Sequence, residues 1–371
     1  MIRKSRRCYT YIAMIGIIFI LRGWILTLYP AMILQNLLAE EQVRDKWNFS
    51  IAPRLLDGTD GILEAKLLNK PIWDVLHYEP IELPPLKCGF NTLVVMVHSA
   101  TGHKDRRDLI RKYNNIYRTM GVYQKLGDVK VFFVIGKDTL SEVNKQVDIE
   151  TFRYGDIIRG DFIDHYFNMT IKNVYGKVKI HQFCQFKFLL KTDDDVFINF
   201  PVVLLNLKKL KPNYPGLYLG WPCISGAFSY PHLIENRRVF TDRLQNFNFT
   251  LSDFPFPFAP KYSYGFSYVL SKESVDVLVN EYKYIPYIRI IDDFYIAYVL
   301  SRFGITCCQT PGFVFEMSKD GGSFCHLTDV LTWNFRIRDN DLQELENVYK
   351  YSLTSWISCT NSFSQLLNQR C

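Results

Sequence analysis

The chain has 371 residues, 48% of them hydrophobic, and a formal net charge of +7. That is enough apolar side chain for a sizeable core, and no low-complexity tract argues for disorder. Arg3, Lys4, Arg6 and Arg7 supply four of the positive charges, so the rest is too nearly neutral to present a nucleic-acid-binding surface.

The basic tail, residues 1–7, runs into CYTYIAMIGIIFILRGWILTL, residues 8–28. Roughly 20 apolar residues cross a bilayer, and positive charges ahead of them keep the tail cytoplasmic while the rest is translocated. Arg22 belongs near the luminal end of such a span, where it can snorkel. A cleaved signal peptide is the competing reading, but no small-x-small cleavage site follows, so a signal anchor is expected. Sequons at Asn48, Asn168 and Asn248 lie beyond it, with an even set of eight cysteines after Cys8. Both fit an oxidising lumen. The pairing is open; Cys307 and Cys308 are adjacent and should each pair elsewhere or stay buried. No C-x-x-C pair supports a zinc ribbon or a thioredoxin-type site.

Residues 29–87 mix charges, prolines and short apolar pieces, and read as a luminal stem closed by Pro80, Pro84 and Pro85. The main domain, 88–371, opens with NTLVVMVHSA from Asn91, a continuous apolar run typical of a buried parallel strand. A helix follows, with Leu109, Ile110, Tyr113, Ile116 and Tyr117 at helical spacing and Gly121 as its stop. VKVFFVIGK is a second buried strand, and Asp138 or Ser141 caps a helix running towards Glu150. A third short strand lies in YGDIIRGDFIDHYFNMT, then a helix over 171–183. Beyond Pro201, VVLLNLKKL is helical, LYLGWPC is a strand, and 240–268 is too aromatic for disorder. YVLSKESVDVLVNEY reads as helix capped by Ser271, and the part from Pro311 as irregular. Strands alternating with helices predict an α/β fold with a mostly parallel sheet, binding its ligand at the carboxyl ends of the strands. Neither a G-x-G-x-x-G nor a Walker-type loop is present.

Two acidic clusters stand out. FKFLLKTDDDVFIN, residues 186–199, is a strand that leaves the core at Asp193, Asp194 and Asp195. Three adjacent carboxylates repel one another, so a fold tolerates them there when a cation or a donor-rich partner compensates, the bland reading being a solvated acidic turn. Flanking apolar strands fix the turn at a sheet edge and favour a divalent ion shared with substrate phosphates. The second cluster, Asp292-Asp293, precedes the apolar FYIAYVLSRF. Its bland reading is a helix N-terminal cap; a helix dipole there would also keep a catalytic base ionised.

Taken in order, RRDLIRKYN at Arg106, VKVFFVIGK at Val129, YGDIIRGDFIDHYFNMTIKN at Tyr154, FKFLLKTDDDVFIN, YSYGFSYVLS at Tyr262 and IDDFYIAYVLSRFGI at Ile291 resemble one family. It is that of the β1,3-galactosyltransferases and β1,3-N-acetylglucosaminyltransferases, glycosyltransferase family 31, which includes the fringe-type enzymes. The resemblance covers about residues 90–335. It implies a GT-A-type nucleotide-sugar-binding domain behind a Golgi type II anchor. It implies inverting transfer of galactose or an N-acetylhexosamine from a UDP-sugar to a glycan acceptor on protein or lipid, in β1,3 linkage, with Mn²⁺. By position, Asp195 would ligate the metal, while Asp193 and Asp194 would address the ribose or the metal's surroundings, Asp193 being a second candidate ligand. Asp293 would be the general base, Asp292 its neighbour, and Gly265 would let backbone approach the substrate. Arg106, Arg107 and Arg111 recur in the family's first motif, either touching the donor side or forming a solvated helix face. Trp221, Tyr262 and Tyr264 are candidates to stack on sugar, or core aromatics. The chain departs from the pattern at Ser263, Phe266 and Ser267, where bulk at Phe266 would narrow the pocket, and at Tyr113-Asn114, where a tryptophan is usual. Asn334 falls where a metal-binding histidine is expected, and His326 is a nearby substitute in a different register. A catalytically silent relative, acting as partner or chaperone of a glycosyltransferase, is the alternative.

Overall fold

Short runs rich in valine, isoleucine and phenylalanine form the centre of a seven-stranded sheet. In the computed structural model, described residues are 86, 88–210, 216–223, 260–285, 292–314, 327, 330–334 and 342–358. The chain divides into Met1–Ile51 and Ala52–Cys371, and every described residue belongs to the second unit. The expected tail, anchor and nearly all of the stem, Asn48, Asn248, His326 and most of 240–268 lie outside the described residues. No helix among the described residues is long and apolar enough to cross a membrane.

Strands β1 (Phe90–His98), β2 (Val129–Lys137), β3 (Ile157–Ile163) and β4 (Gln185–Asp193) are parallel and lie in the order β3-β2-β1-β4. Leu93–Val97 and Phe132–Ile135 are fully buried, as expected of parallel strands covered on both faces. The crossovers carry helices α1 (Lys104–Thr119), α2 (Val122–Leu126), α3 (Ser141–Tyr154) and α4 (Met169–Phe183). Neither Asp138 nor Ser141 is the N-cap of α3; that position is Leu140, without a side-chain cap. Asp138 instead accepts the Leu140 N–H at 3.0 Å, and Asn144 closes the turn through the Asp138 N–H and carbonyl at 2.8 and 2.7 Å. Helix α4 is buried from Thr170 to Val178. A Cβ on Gly176 would lie 2.7 Å from Val134 Cγ2 and 2.8 Å from Met96 Sδ, so glycine is what lets α4 seat closely on β1 and β2.

After β4 the chain makes β5 (Val196–Ile198), α5 (Phe200–Lys208) and β6 (Tyr218–Gly220). Strand β7 (Ser267–Ser271) then joins β4 antiparallel, with Thr192 opposite Ser267. The helix expected over 268–282 is therefore two elements. Its first residues are fully buried strand, where pairing with β4 overrides the helical pattern, and helix α6 (Lys272–Glu281) begins only after Ser271, whose side chain accepts the Ser274 N–H. Helix α7 (Asp292–Ser301) and strand β8 (Cys308–Gln309) complete this part, with β8 pairing parallel to β6. The sheet order is β3-β2-β1-β4-β7-β6-β8.

The region beyond Pro311 is more regular than expected. Strands β9 (Phe313–Val314) and β10 (Thr332–Asn334) form a second sheet with β5, in the order β5-β10-β9. Helix α8 (Leu342–Ser358) packs on α1: Tyr349 stacks on Tyr113 with ring centroids 4.6 Å apart, and the Tyr117 and Ser352 hydroxyls lie 3.0 Å apart. Disulfides join Cys88 to Cys184 and Cys223 to Cys307. Cys308 is disulfide-bonded as well, so the adjacent pair does bond elsewhere.

Candidate active site

The parallel register aligns His98 with Asp193, which puts the aspartates at the carboxyl edge of the sheet. Asp193 ends β4, and Asp194 and Asp195 make the turn into β5. The loop after β1 and the start of α1 meet this turn. Asp194 accepts hydrogen bonds from Ser99 Oγ at 2.7 Å and Arg106 at 3.1 Å, and its Oδ2 lies 2.9 Å from His103 Nδ1. Burial works to raise this carboxyl, but His103, Ser99 and Arg106 outweigh it and hold it below the ordinary range. Asp194 and Arg106 thus come together as a structural anchor. His103 and Ser99 complete it; nothing in the sequence marked them, because their partner is about 90 residues away.

Arg111 is not at this site. Five positions along a helix turn a side chain through about 140°, so it faces away from Arg106. Its guanidinium is held at 2.8 Å by both Asp156 oxygens, at 2.7 Å by Glu150 and at 2.8 Å by Asp108, and lies over the Tyr154 ring. The expectation that it meets the donor is corrected accordingly. Arg107 is fully buried; it forms a two-pronged pair with Glu150 at 2.9 and 2.7 Å and also binds Ser99 Oγ and the Ala100 and Thr101 carbonyls.

The other two aspartates have no comparable anchor. Asp195 is raised by burial and by the neighbouring Asp194 charge, with Arg106 opposing. Asp193 keeps 33% of its side chain exposed, yet its crowded surroundings push it up to about 7; desolvation leads, Asp195 and Asp292 add, and Lys191 opposes. Both carboxyls are thus held above the ordinary range despite the Lys191 and Arg106 charges beside them.

The second cluster arrives from across the sheet. Asp292 and Asp293 occupy the first turn of α7. Asp293 is raised by burial and by the adjacent Asp292 charge, while the Phe294 N–H, at 2.8 Å, Lys191 and the Gly265 N–H favour its ionised form. A Cβ on Gly265 would lie 3.3 Å from Asp293 Oδ2 and 3.5 Å from its Cβ and Cγ, so the backbone approach expected at Gly265 is an approach to Asp293. Tyr262 packs edge-on to Phe294 at 5.8 Å, its hydroxyl raised by burial and by Asp293. Trp221 and Tyr264 are partly buried against the core. Phe266 is 5% exposed and belongs to that core, so it does not narrow the site as anticipated; its carbonyl accepts the Asp193 N–H at 3.2 Å.

Lys191 links the clusters, and the sequence reading missed it. Buried on β4, it donates to Asp193 Oδ1 at 2.8 Å and to the Gly265 carbonyl, and stands 3.8 Å from Asp292 Oδ2. Burial works against its charge, but Asp193, Asp292 and Asp293 prevail and raise it. Among the described residues, no group of three or more His, Cys, Asp or Glu side chains is placed to hold a metal ion. A hard divalent ion shared with phosphates needs only one or two protein carboxylates, and Asp193 and Asp195, both raised by burial and by neighbouring negative charge, fit that requirement. Asn334 lies in β10 opposite Val196, next in sequence to Asp195.

A family model described as Galactosyltransferase matches residues 105–311, more than half of the chain and both acidic clusters. The chain belongs to the galactosyltransferase family. This galactosyltransferase-family chain is 31% identical over 228 residues to human beta-1,3-galactosyltransferase 5, covering 61% of this chain and 68% of that protein. It is 30% identical to the Pan paniscus protein of that name, again over 228 residues, covering 61% and 70%. It is 27% identical over 281 residues to mouse beta-1,3-galactosyltransferase 1, covering 74% and 78%. Among solved structures, galactosyltransferase LgtC in complex with donor and acceptor sugar analogs aligns at 12% identity and a TM-score of 0.35, over 71% of this chain and 96% of that one. A glycosyltransferase with a mostly parallel α/β sheet is the result.

Proposed function

We propose that this glycosyltransferase has a GT-A-type domain and transfers galactose or an N-acetylhexosamine from a UDP-sugar to a glycan hydroxyl in β1,3 linkage, with inversion. The reading rests on one observation: the raised carboxyls of the aspartate turn and a half-buried, raised carboxylate at a helix start lie either side of Lys191. Asp293 takes the proton as the acceptor oxygen attacks the anomeric carbon. The new carbon–oxygen bond forms as the bond to the diphosphate breaks, and the electron pair leaves with UDP. A base near neutral pKa suits this task. Asp193 and Asp195 would hold a divalent ion, Mn²⁺ in the family resembled, whose bound charge would stabilise the leaving diphosphate. Asp194 and Arg106 brace the turn, and Gly265 keeps room beside the base. The N-terminal anchor and stem would place the domain in the Golgi lumen, on glycoprotein or glycolipid acceptors.

The test uses the luminal part with a panel of UDP-sugars, a glycan acceptor and Mn²⁺. We expect UDP release that needs the metal and falls at least about 100-fold in Asp293→Asn, within the range for removing a general base. A folded protein that turns over none of the donors would overturn the reading and leave the silent-partner alternative.

A further inference from the structure

Helix α4 carries polar side chains where a helix seated on a sheet ought to be apolar. Asn173 and Lys177 are fully buried, as is Tyr268 on β7, and Asp292 is 9% exposed. Lys177 Nζ donates to Asn173 Oδ1 and, at 2.9 Å, to the Tyr268 hydroxyl. The Tyr268 hydroxyl is also 3.1 Å from Asn173 Nδ2. An ammonium or amine N–H presented to the amide selects its oxygen, so the amide NH₂ must face the other way. There it donates to Asp292 Oδ2. Lys191 approaches the same oxygen from β4 at 3.8 Å. Lys177, Tyr268, Asn173 and Asp292 are thus linked in one hydrogen-bonded series, which ends on the neighbour of the base.

We propose that Asn173, oriented by Lys177 and Tyr268, is a positioning residue for the α7 acid pair: it fixes the Asp292 carboxylate behind Asp293, so that Asp293 alone is left facing the reacting hydroxyl. Nothing in an acid pair at a helix start decides which member turns outward. A buried amide donor decides it, because swinging Asp292 towards the substrate would take from the Asn173 amide its carboxylate partner and leave it only the Tyr268 hydroxyl. The charged state of Lys177 does not enter, since the amine donates in either form; burial pulls this lysine well below its ordinary range, Lys191 adds to that, and Asp292 opposes. The inference rests on the transfer reaction proposed above and deepens it.

The experiment is a double-substitution cycle on UDP-sugar turnover, comparing Asn173→Leu, Asp292→Asn and the two combined, with folding checked by thermal unfolding. Asn173→Leu should lower kcat at least about tenfold, as loss of about 1.4 kcal/mol would, with the donor KM changed less than twofold. In the Asp292→Asn background it should add little, because the carboxylate that Asn173 fixes is already gone. Lys177→Met, which removes the orienting donor and keeps the amide, should lower kcat in the same direction, and it stands in if Asn173→Leu does not fold. Additive losses, a loss confined to the donor KM, or unchanged kcat in the folded variants would each overturn the inference while leaving the functional reading intact. No turnover in the unsubstituted protein would overturn both.

Discussion

Asn334 and Val196 face each other across the ladder between β10 and β5, one residue beyond Asp195. The register brings strand β10 to the aspartate turn although its sequence lies about 140 residues downstream. Position 334 is therefore within the neighbourhood of the proposed cation, and its residue type bears on how firmly that cation is held.

Asn334→His is expected to tighten Mn²⁺. An imidazole nitrogen beside two carboxylates adds a stronger ligand for a first-row divalent ion than an amide. Titrating turnover, or thermal stability, against Mn²⁺ should show half-saturation at a lower concentration in the variant. An unchanged or weaker titration would mean that the side chain at 334 does not reach the ion.

Lys191→Met should be more damaging than a surface lysine change. It leaves Asp193, Asp292 and Asp293 crowded without their shared cation, and breaking a buried pair from one side costs about 3–5 kcal/mol. Denaturant unfolding at about pH 7.5 is the measurement. The loss should shrink at about pH 5, where the raised Asp193 and Asp293 carboxyls are protonated and no longer need the cation; a loss equal at both pH values would rule out this origin.

The metal-free protein should lose stability as pH rises through the region below neutral. Asp193 is pushed from 3.8 to about 7, so between those values the folded chain keeps a proton that the unfolded chain has released. Stability then falls with increasing pH, opposite to the usual salt-bridged aspartate. Asp293, raised in the same direction, adds to the slope and places the acid limb of turnover above the ordinary carboxylate range. Mn²⁺ should relieve the repulsion, raising the unfolding midpoint more at about pH 7.5 than at about pH 5. Equal shifts would contradict it.

Arg107→Ala should destabilise the fold by about 1–3 kcal/mol, since it leaves buried Glu150 with Arg111 alone and the Ala100 and Thr101 carbonyls without their donor. It also frees the loop after β1, because Ser99, Ala100 and Thr101 all depend on this guanidinium. Chemical denaturation at neutral pH measures the first effect. A loss below about 1 kcal/mol, the ceiling usual for exposed pairs, would contradict the burial argument.

Much of this was written locally. The runs 91–98, 129–137 and 186–193 are strands because continuous apolar sequence has few other uses at that length, and both acidic clusters fall where ligand-binding edges form. What escaped was set by distant partners. Ser267–Ser271 continues into a helical pattern, and only β4 alongside it makes it a strand. Lys191 looks like an ordinary charge at a strand end until Asp292, a hundred residues on, is folded beside it. Arg106 and Arg111 look equivalent in a motif, but helix geometry separates them. Helix α8 is a different lesson: Leu345, Val348, Tyr349 and Ser352 are buried at helical spacing, so its signal was present within a polar stretch and was legible.

Strand β7 runs against β4 in an otherwise parallel neighbourhood. Its beginning therefore lands at the edge where β4 ends, which brings the residues just ahead of it, Tyr262 to Phe266, to the edge that carries the aspartates. That stretch is tied to the sheet at several points: Ser263 donates its N–H to the Tyr218 hydroxyl at 2.9 Å and accepts the Trp221 N–H at 3.0 Å, and the Phe266 carbonyl accepts the Asp193 N–H at 3.2 Å. One short run of backbone thus borders both acid clusters, through the Phe266 carbonyl on Asp193 and Gly265 beside Asp293, and couples their positions without a side chain of its own.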